Sequence, residues 1–329
     1  MHTVVFGRPF VFSCISGYVR ASLARERDDR VEEIKINKEK KGEENMEWQA
    51  NVAATIFFGY ILGKIIQKRI VGLPSREKLL VWQFAFCAMF SAGLILVLGG
   101  VQDPMPALYL IAGLGVFNAI ACYCQWRAID LSLAGTSVLT QGDDVIGLLL
   151  AYTLLGETRI LTPLLATGVA LCVAAAFVFG SGRIPKSRKL IGWVSVYSVI
   201  WGVAFFAMRY FALQGVSAAG FLSAWYAGSL LGSFVVPLLF GKRGAARVKV
   251  RELAGTALLA ACVWTALLAA YAARKLAPIT ITQPLFQLGE LVFPFLIGLY
   301  IFREYRTFGI REKIASVIGF AGSIILAMY

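Results

Sequence analysis

Three carboxylates stand where a carboxylate is costly. Asp143 and Asp144 lie in the run 133–156 and Glu290 in the run 277–302, and both runs are otherwise almost wholly apolar. An ionised side chain at membrane depth costs ~3 kcal/mol even on a lenient insertion scale, so such residues tend to mark function. A low-dielectric site disfavours the charged form of a carboxyl group, which lets proton uptake be linked to a change of conformation. The chemistry on offer is binding of a proton or of a cationic group. The structural alternative is a carboxylate bonded to Arg127, Arg209 or nearby hydroxyls. Consecutive helical residues point ~100° apart, so only one of Asp143 and Asp144 is expected to face a central cavity.

Uncharged polar residues extend these positions into stripes. Gln283, Gln287, Glu290 and Pro294 are spaced i, i+4, i+7, i+11, which is one face of a helix. Pro284 and Pro294 would free backbone carbonyls there, as in the irregular helices of transporter sites. The fourth run offers Thr140 and Gln141 beside the aspartates, with Gly142 and Gly147 to loosen it; the third offers Asn118, Cys122 and Gln125, again on one face. The stripes predict a wet central cavity whose substrate- or proton-binding residues are Asp143, Asp144, Glu290, Gln283, Gln287, Gln141, Asn118 and Gln125. Interhelical hydrogen bonding as glue is the alternative. Arg127 and Arg209 sit near run ends, where snorkelling to the interface competes with anion binding. Trp201, Trp225, Tyr226, Trp264 and Tyr271 read as interface belt or packing. Gly59-x-x-x-Gly63 and Gly228-x-x-x-Gly232 permit close helix crossings.

Other chemistries lack their residues. His2 is the only histidine, and five of six cysteines fall inside apolar runs, where they read as small packing residues. Cys122 and Cys124 do not form a CxxC. No Gly-Lys-Ser/Thr phosphate loop occurs, so no ATP-driven step is expected. No metal ligands and no cofactor are anticipated.

The elements that must carry these residues follow from composition. Of 329 residues 58% are hydrophobic and 16% charged, against ~25% charged in soluble domains; mean hydropathy is +0.72. A spanning helix needs ~20 mostly apolar residues, and helices are the spanning form whose backbone groups pair internally. Ten runs qualify, at 49–67, 79–99, 106–127, 133–156, 161–180, 189–211, 219–240, 252–273, 277–302 and 311–329. The net charge of +13 belongs entirely to this apolar part, in short gaps, so it reads as orientation information and not as a nucleic-acid footprint. Lys64, Lys68, Arg69, Arg76 and Lys78 are assigned to the gap after the first span. Arg183 to Lys189, Lys242 to Arg251, and Arg303 to Lys313 follow the fifth, seventh and ninth. The gaps after even-numbered spans hold little, namely Arg159, Arg274 and Lys275. The odd gaps are therefore expected on the cytoplasmic side. Residues 1–47 hold equal numbers of acidic and basic groups with few aromatics, which predicts a disordered tail. Translation starting at Met46 is the alternative account of that segment.

The chain also repeats itself. With an offset of 147, Gln141 to Glu157 lies on Leu288 to Glu304: Gly142 meets Gly289, Asp143 meets Glu290, Val145 meets Val292 and Leu149 meets Leu296. Each stretch is the fourth span of a five-span half, 48–182 or 183–329. Five is odd, so the halves insert with opposite orientations, the inverted-repeat plan of many secondary transporters. Glu157 and Glu304 close the two stretches and are expected to cap the turn or pair with Arg159 and Arg306.

Leu155-Gly156-Glu157 followed by the Gly-rich fifth span Gly168 to Gly180 resembles an EamA-type repeat. The second copy, Phe302-Arg303-Glu304 then Gly319 to Ile325, is looser and about one helical turn longer between Ala277 and Glu304. Two such repeats in ten spans resemble the drug/metabolite transporter superfamily; the resemblance covers residues 48–329 and rests on short motifs. Members of that superfamily often carry basic loops after even-numbered spans, unlike this chain.

These readings predict an all-α integral membrane protein with ten transmembrane helices in two inverted five-helix repeats, multi-pass in the plasma membrane. Its expected function is secondary, non-ATP transport of a small metabolite or drug-like solute by alternating access, with protons as the candidate coupling ion and no need of an oligomer. Its partners would be the small-molecule substrate and the lipid bilayer. A lipid-linked sugar flippase or passive facilitator is the alternative. A membrane-embedded prenyl transferase is disfavoured, because Asp143-Asp144 has no second acidic cluster at Mg²⁺-binding spacing.

Overall fold

The computed structural model describes residues 47–154, 163–180, 185–240, 247–306 and 309–328. The charged tail as far as residue 46, the Leu155-Gly156-Glu157 motif, Arg159, Arg183, Lys242 and Arg243 lie outside those residues. Among the described residues the regular elements are all helical. We label them α1 (Glu47–Val71), α2 (Arg76–Val97), α3 (Met105–Leu131), α4 (Leu133–Leu139), α5 (Gln141–Leu154), α6 (Pro163–Gly180) and α7 (Pro185–Leu213). After these come α8 (Ala218–Phe240), α9 (Val250–Leu276), α10 (Ile279–Leu296) and α11 (Ile310–Met328). Two π-helical stretches interrupt the regular winding, Ile56–Leu62 within α1 and Ile297–Ile301 at the end of α10.

Among the described residues, seven helices are long and apolar enough to cross a membrane: α1, α2, α3, α8 and α9 whole, most of α7, and Ile281–Ile301. Leu96, Val97, Tyr109, Leu238 and Val317 expose 70% or more of their surface. In water so much bare apolar surface would drive aggregation; against lipid chains it is the matching face. The chain is a membrane protein.

Capping explains where several helices begin. Ser132 opens α4, its Oγ accepting from Gly135 N at 2.9 Å, and Ser217 opens α8 in the same way from Gly220 N at 3.0 Å. Each cap is itself held from elsewhere in the chain. Asp103 accepts from Ser217 N and Oγ, at 2.8 and 2.5 Å. Glu304 accepts from Ser132 Oγ at 2.8 Å, Leu133 N at 2.9 Å and Ala134 N at 3.0 Å. Orphan donors at a helix start are costly in a dry interior, so these acids act as capping groups supplied in trans.

The core is aromatic and closely crossed. Trp126, Trp225, Tyr226, Tyr271 and Phe221 are fully buried, and Phe221 stacks on both Trp225 and Tyr271. The expected Gly228/Gly232 crossing is present between α8 and α3. A Cβ on Gly228 would strike the Ala112 carbonyl, one on Gly232 the Val116 carbonyl, and one on Gly115 the Trp225 carbonyl. Only hydrogen at those three positions permits backbones so close.

One expected element is broken. The fourth run, 133–156, is not a continuous helix: it divides at Thr140 into α4 and α5. The cause is local competition for carbonyls. Thr136 Oγ1, Ser137 Oγ and Thr140 Oγ1 turn back onto the carbonyls of Ser132, Ala134 and Ser137 at 2.6, 2.9 and 3.2 Å. Gln141 Nε2 also donates to the Ser137 carbonyl, at 3.2 Å. Side chains that engage the helix's own acceptors loosen its ladder. Asp143 N then bonds Thr140 O, three residues back and not four.

Candidate functional site

The break at Thr140 re-sites the two aspartates. They do not lie mid-helix; they occupy the first turn of α5, where unpaired backbone N–H groups and the helix dipole favour negative charge. Both are fully buried. They differ in direction, as helical geometry requires. Asp143 Oδ1 turns back to accept from Asp144 N at 2.9 Å. Asp144 Oδ1 instead accepts from Gln283 Nε2 on α10. The second carboxylate oxygen of each has no hydrogen-bond partner among the described residues.

Gln283 passes this contact on. Its Oε1 accepts from Arg274 Nη2 at 2.7 Å, so one amide joins a cation to a carboxylate across three helices. Arg274 is completely buried. Its guanidinium lies 4.8 Å from the Phe205 ring centroid and 4.7 Å from that of Phe286, a geometry in which both rings stabilise positive charge. Arg209, also buried, donates to the Arg274 carbonyl at 2.6 Å. This corrects two expectations. Arg209 does not snorkel; it satisfies the end of α9. Arg274 is not a loop charge; α9 runs to Leu276 and carries it inside.

Lys64 needs the same correction. It was assigned to the first gap, yet it lies within α1, 8% exposed. With Glu290 it lines a central cavity. Asn118 and Gln125 of α3 and Arg274 of α9 face the same cavity, and Trp201, Trp225, Phe84 and Phe205 form its apolar walls. Tyr60 lines the cavity with them. Among the described residues Lys64 and Glu290 make no ion pair with each other or with a third group. Gly59, Tyr60 and Gly63, beside Lys64, belong to or adjoin the π-helical stretch, the kind of irregularity that often marks a site.

The expected site residues therefore fall into four places. Glu290, Asn118 and Gln125 line the cavity. Asn118 also donates to Ser229 Oγ at 2.9 Å, and Gln125 accepts from Gln67 Nε2 at 3.1 Å, so the third-span stripe is cavity lining and interhelical glue at once. Asp144 and Gln283 form the relay to Arg274, with Asp143 beside it. Gln287 is fully buried, and neither end of its amide has a partner among the described residues. Gln141 is not in the central cavity; it faces a separate groove between α5 and α7 with Gly142, Ser195 and Ser198.

Lys64, Arg274, Tyr60 and Gln67 were missed. For three of them a signal existed: Tyr60, Lys64 and Gln67 are spaced i, i+4, i+7, the same one-face pattern that picked out α3 and α10. It was obscured by assigning Lys64 to the gap although the first run, 49–67, includes it. Arg274 had no comparable signal, because its burial depends on where α9 ends. Glu304 does cap, but it caps a distant helix, and among the described residues it is seen paired with Lys68 at 2.8 Å and not with Arg306.

No family model matches the chain, and no curated protein matches it. Solved structures do share its fold. One, described as the crystal structure of a protein, aligns with a TM-score of 0.59 at 15% identity, covering 87% of this chain and 98% of its own. At that identity the likeness is one of fold alone.

Proposed function

We propose that this protein is a secondary transporter of the plasma membrane, with ten spans in two inverted five-helix halves of the EamA type, 48–182 and 183–329. It moves a small metabolite by alternating access without ATP. The observation that carries this reading is the central cavity. It lies among membrane-spanning helices of both halves and holds a buried cation and a buried carboxylate between aromatic walls. Soluble cores avoid such arrangements unless the groups are paired. A carrier needs groups that a solute can engage and leave.

Helix packing supports the inverted repeat. Counting α4 with α5 as one span, exchanging each span with the one five places away carries the main packing pairs onto one another. α3 packs on α8 and α9 on α2; α3 packs on α7 and α9 on α1; α5 packs on α7 and α10 on α1. The pairs α2 with α8, α4–α5 with α10, and α6 with α11 map onto themselves. Alternating access then amounts to rocking one half on the other about the crossing of α4–α5 with α10, where Asp144 meets Gln283.

The test is solute counterflow in proteoliposomes, screened over amino acids, amines, nucleosides and sugars. Wild type is expected to exchange at least one class, and Glu290→Gln to abolish that exchange while eluting as a folded species. Exchange that survives Glu290→Gln would remove Glu290 from the pathway. Absence of exchange for every class, together with downhill flux alone, would favour a facilitator.

A further inference from the structure

We propose that the groove between the end of α10 and the start of α11 binds an anionic phospholipid, with an acyl chain along the groove and the phosphate held by Lys313 and Arg306. The groove lies outside the central cavity and shares no residue with it among the described ones. Phe295, Leu299, Val317, Phe320 and Ile324 line it, with Tyr305 and Lys313 at one end. Phe295 and Phe320 meet edge to face at 4.9 Å, while Val317 and Ile324 remain 70% and 46% exposed. Lys313, Val317, Phe320 and Ile324 are spaced i, i+4, i+7, i+11, so one face of α11 carries the groove from its charged end to its apolar end. That stretch rises ~16 Å along the helix. One leaflet of a hydrocarbon core ~30 Å thick offers ~15 Å. An extended acyl chain lying against α11 fits that length, with its headgroup where Lys313 stands.

Charge decides which lipid. Between 303 and 313 the sequence sets four basic residues, Arg303, Arg306, Arg311 and Lys313, against two acids, Glu304 and Glu312. Glu304 is committed to the cap of α4 and to Lys68. Lys313 is exposed and makes no ion pair among the described residues. Arg306 folds back over Tyr305: its Nε donates to the phenol oxygen at 3.2 Å, and the guanidinium carbon lies 5.7 Å from the ring centroid. The second cation is thus held beside a ring that borders the groove. The turn that presents it is itself fixed. Arg303 has a φ of +57°, a left-handed conformation uncommon for a residue with a side chain, and Glu304 is tied to α4. Two cations closing one end of an apolar groove complement a phosphate on an acyl chain. A choline headgroup would bring an ammonium to the same two side chains.

Native mass spectrometry of the purified, delipidated protein counts bound lipids and gives their affinities. Phosphatidylglycerol and phosphatidylcholine with identical acyl chains are titrated in turn. Wild type should bind one phosphatidylglycerol about twenty-fivefold more tightly than phosphatidylcholine, at about fivefold for each of the two basic side chains. Lys313→Gln should reduce that preference to about fivefold, and Lys313→Gln combined with Arg306→Gln should abolish it. Arg251→Gln, on α9, should leave it unchanged. Val317→Trp, which fills the groove at an exposed position, should weaken both lipids. Equal affinity for the two lipids in wild type overturns the proposal without any variant. So does a preference that survives the double variant, or one that falls as far in Arg251→Gln, since the effect is then a diffuse surface charge. Glycerol phosphate displacing the lipid at matched concentration would leave an anion site with no role for the groove. A dimer that Val317→Trp dissociates would place a second copy of the chain there. Either of these results also overturns the proposal.

Discussion

Glu304→Ala should destabilise the protein through a helix cap and not through a lost ion pair. The carboxylate accepts from Leu133 N at 2.9 Å, Ala134 N at 3.0 Å and Ser132 Oγ at 2.8 Å, and pairs with Lys68 Nζ at 2.8 Å. Alanine orphans two backbone donors in a buried setting. At ~1–3 kcal/mol for each unsatisfied buried donor, the loss is about 3 kcal/mol. Lys68 keeps another partner, the Ile129 carbonyl at 2.6 Å; the ion pair is largely buried, at 14% and 10% exposure, but Glu304 retains its three cap donors when Lys68 is lost, so Lys68→Ala should cost less, about 1–2 kcal/mol. Glu304→Gln retains one acceptor oxygen and should fall between the two. Thermal unfolding of the purified variants, read by tryptophan fluorescence, gives the order. Hydrogen exchange over peptides spanning 131–140 should accelerate in Glu304→Ala alone. If Lys68→Ala costs as much as Glu304→Ala, or if glutamine is no better than alanine, charge pairing carries this contact and the capping argument fails.

Three further outcomes follow from the same geometry. Gln283→Leu removes the amide between Arg274 and Asp144 and leaves both without it in a dry interior; a loss of about 2–4 kcal/mol is expected, and wild-type thermal stability would mean that water replaces the amide. Gly228→Val should prevent folding, since its Cβ would overlap the Ala112 carbonyl, whereas Gly113→Ala, with open space around it, should lie within about 1 kcal/mol of wild type or slightly above it; yields of monodisperse protein compare the two. Asp103→Ala should cost about 1–2 kcal/mol by freeing Ser217 N and Oγ, with faster exchange confined to the first turn of α8 as the signature.

Much of the helical plan was legible without coordinates because membrane insertion imposes a local rule. Lipid offers no hydrogen bonds, so an apolar run of sufficient length has to be a helix whatever its neighbours are. The runs at 79–99, 106–127, 219–240 and 252–273 accordingly reappear as α2, α3, α8 and α9 within a few residues. Small residues at four-residue spacing marked the α3–α8 crossing on one partner for the same local reason. Asp143, Asp144 and Glu290 stood out because a carboxylate in such a run is costly wherever it points.

What the residues face was decided only by the tertiary structure. Whether Arg274 is a loop charge or a buried cation turns on less than one helical turn at the end of α9, and hydropathy blurs ends of that kind; Lys64 lies inside the first run, and only the packing around α1 shows that it is buried. Glu304 could not be matched to Ser132 from order along the chain, because the cap spans the contact between the end of α10 and the start of α4. The break at Thr140 arises from Thr136, Ser137, Thr140 and Gln141 together engaging carbonyls of their own helix, a choice that the same side chains make differently when a neighbouring helix supplies other partners. Sequence therefore determined which segments enter the membrane, since that depends on each segment's own transfer energy. The fold determined which charges meet, since that depends on the distance between segments far apart in the chain.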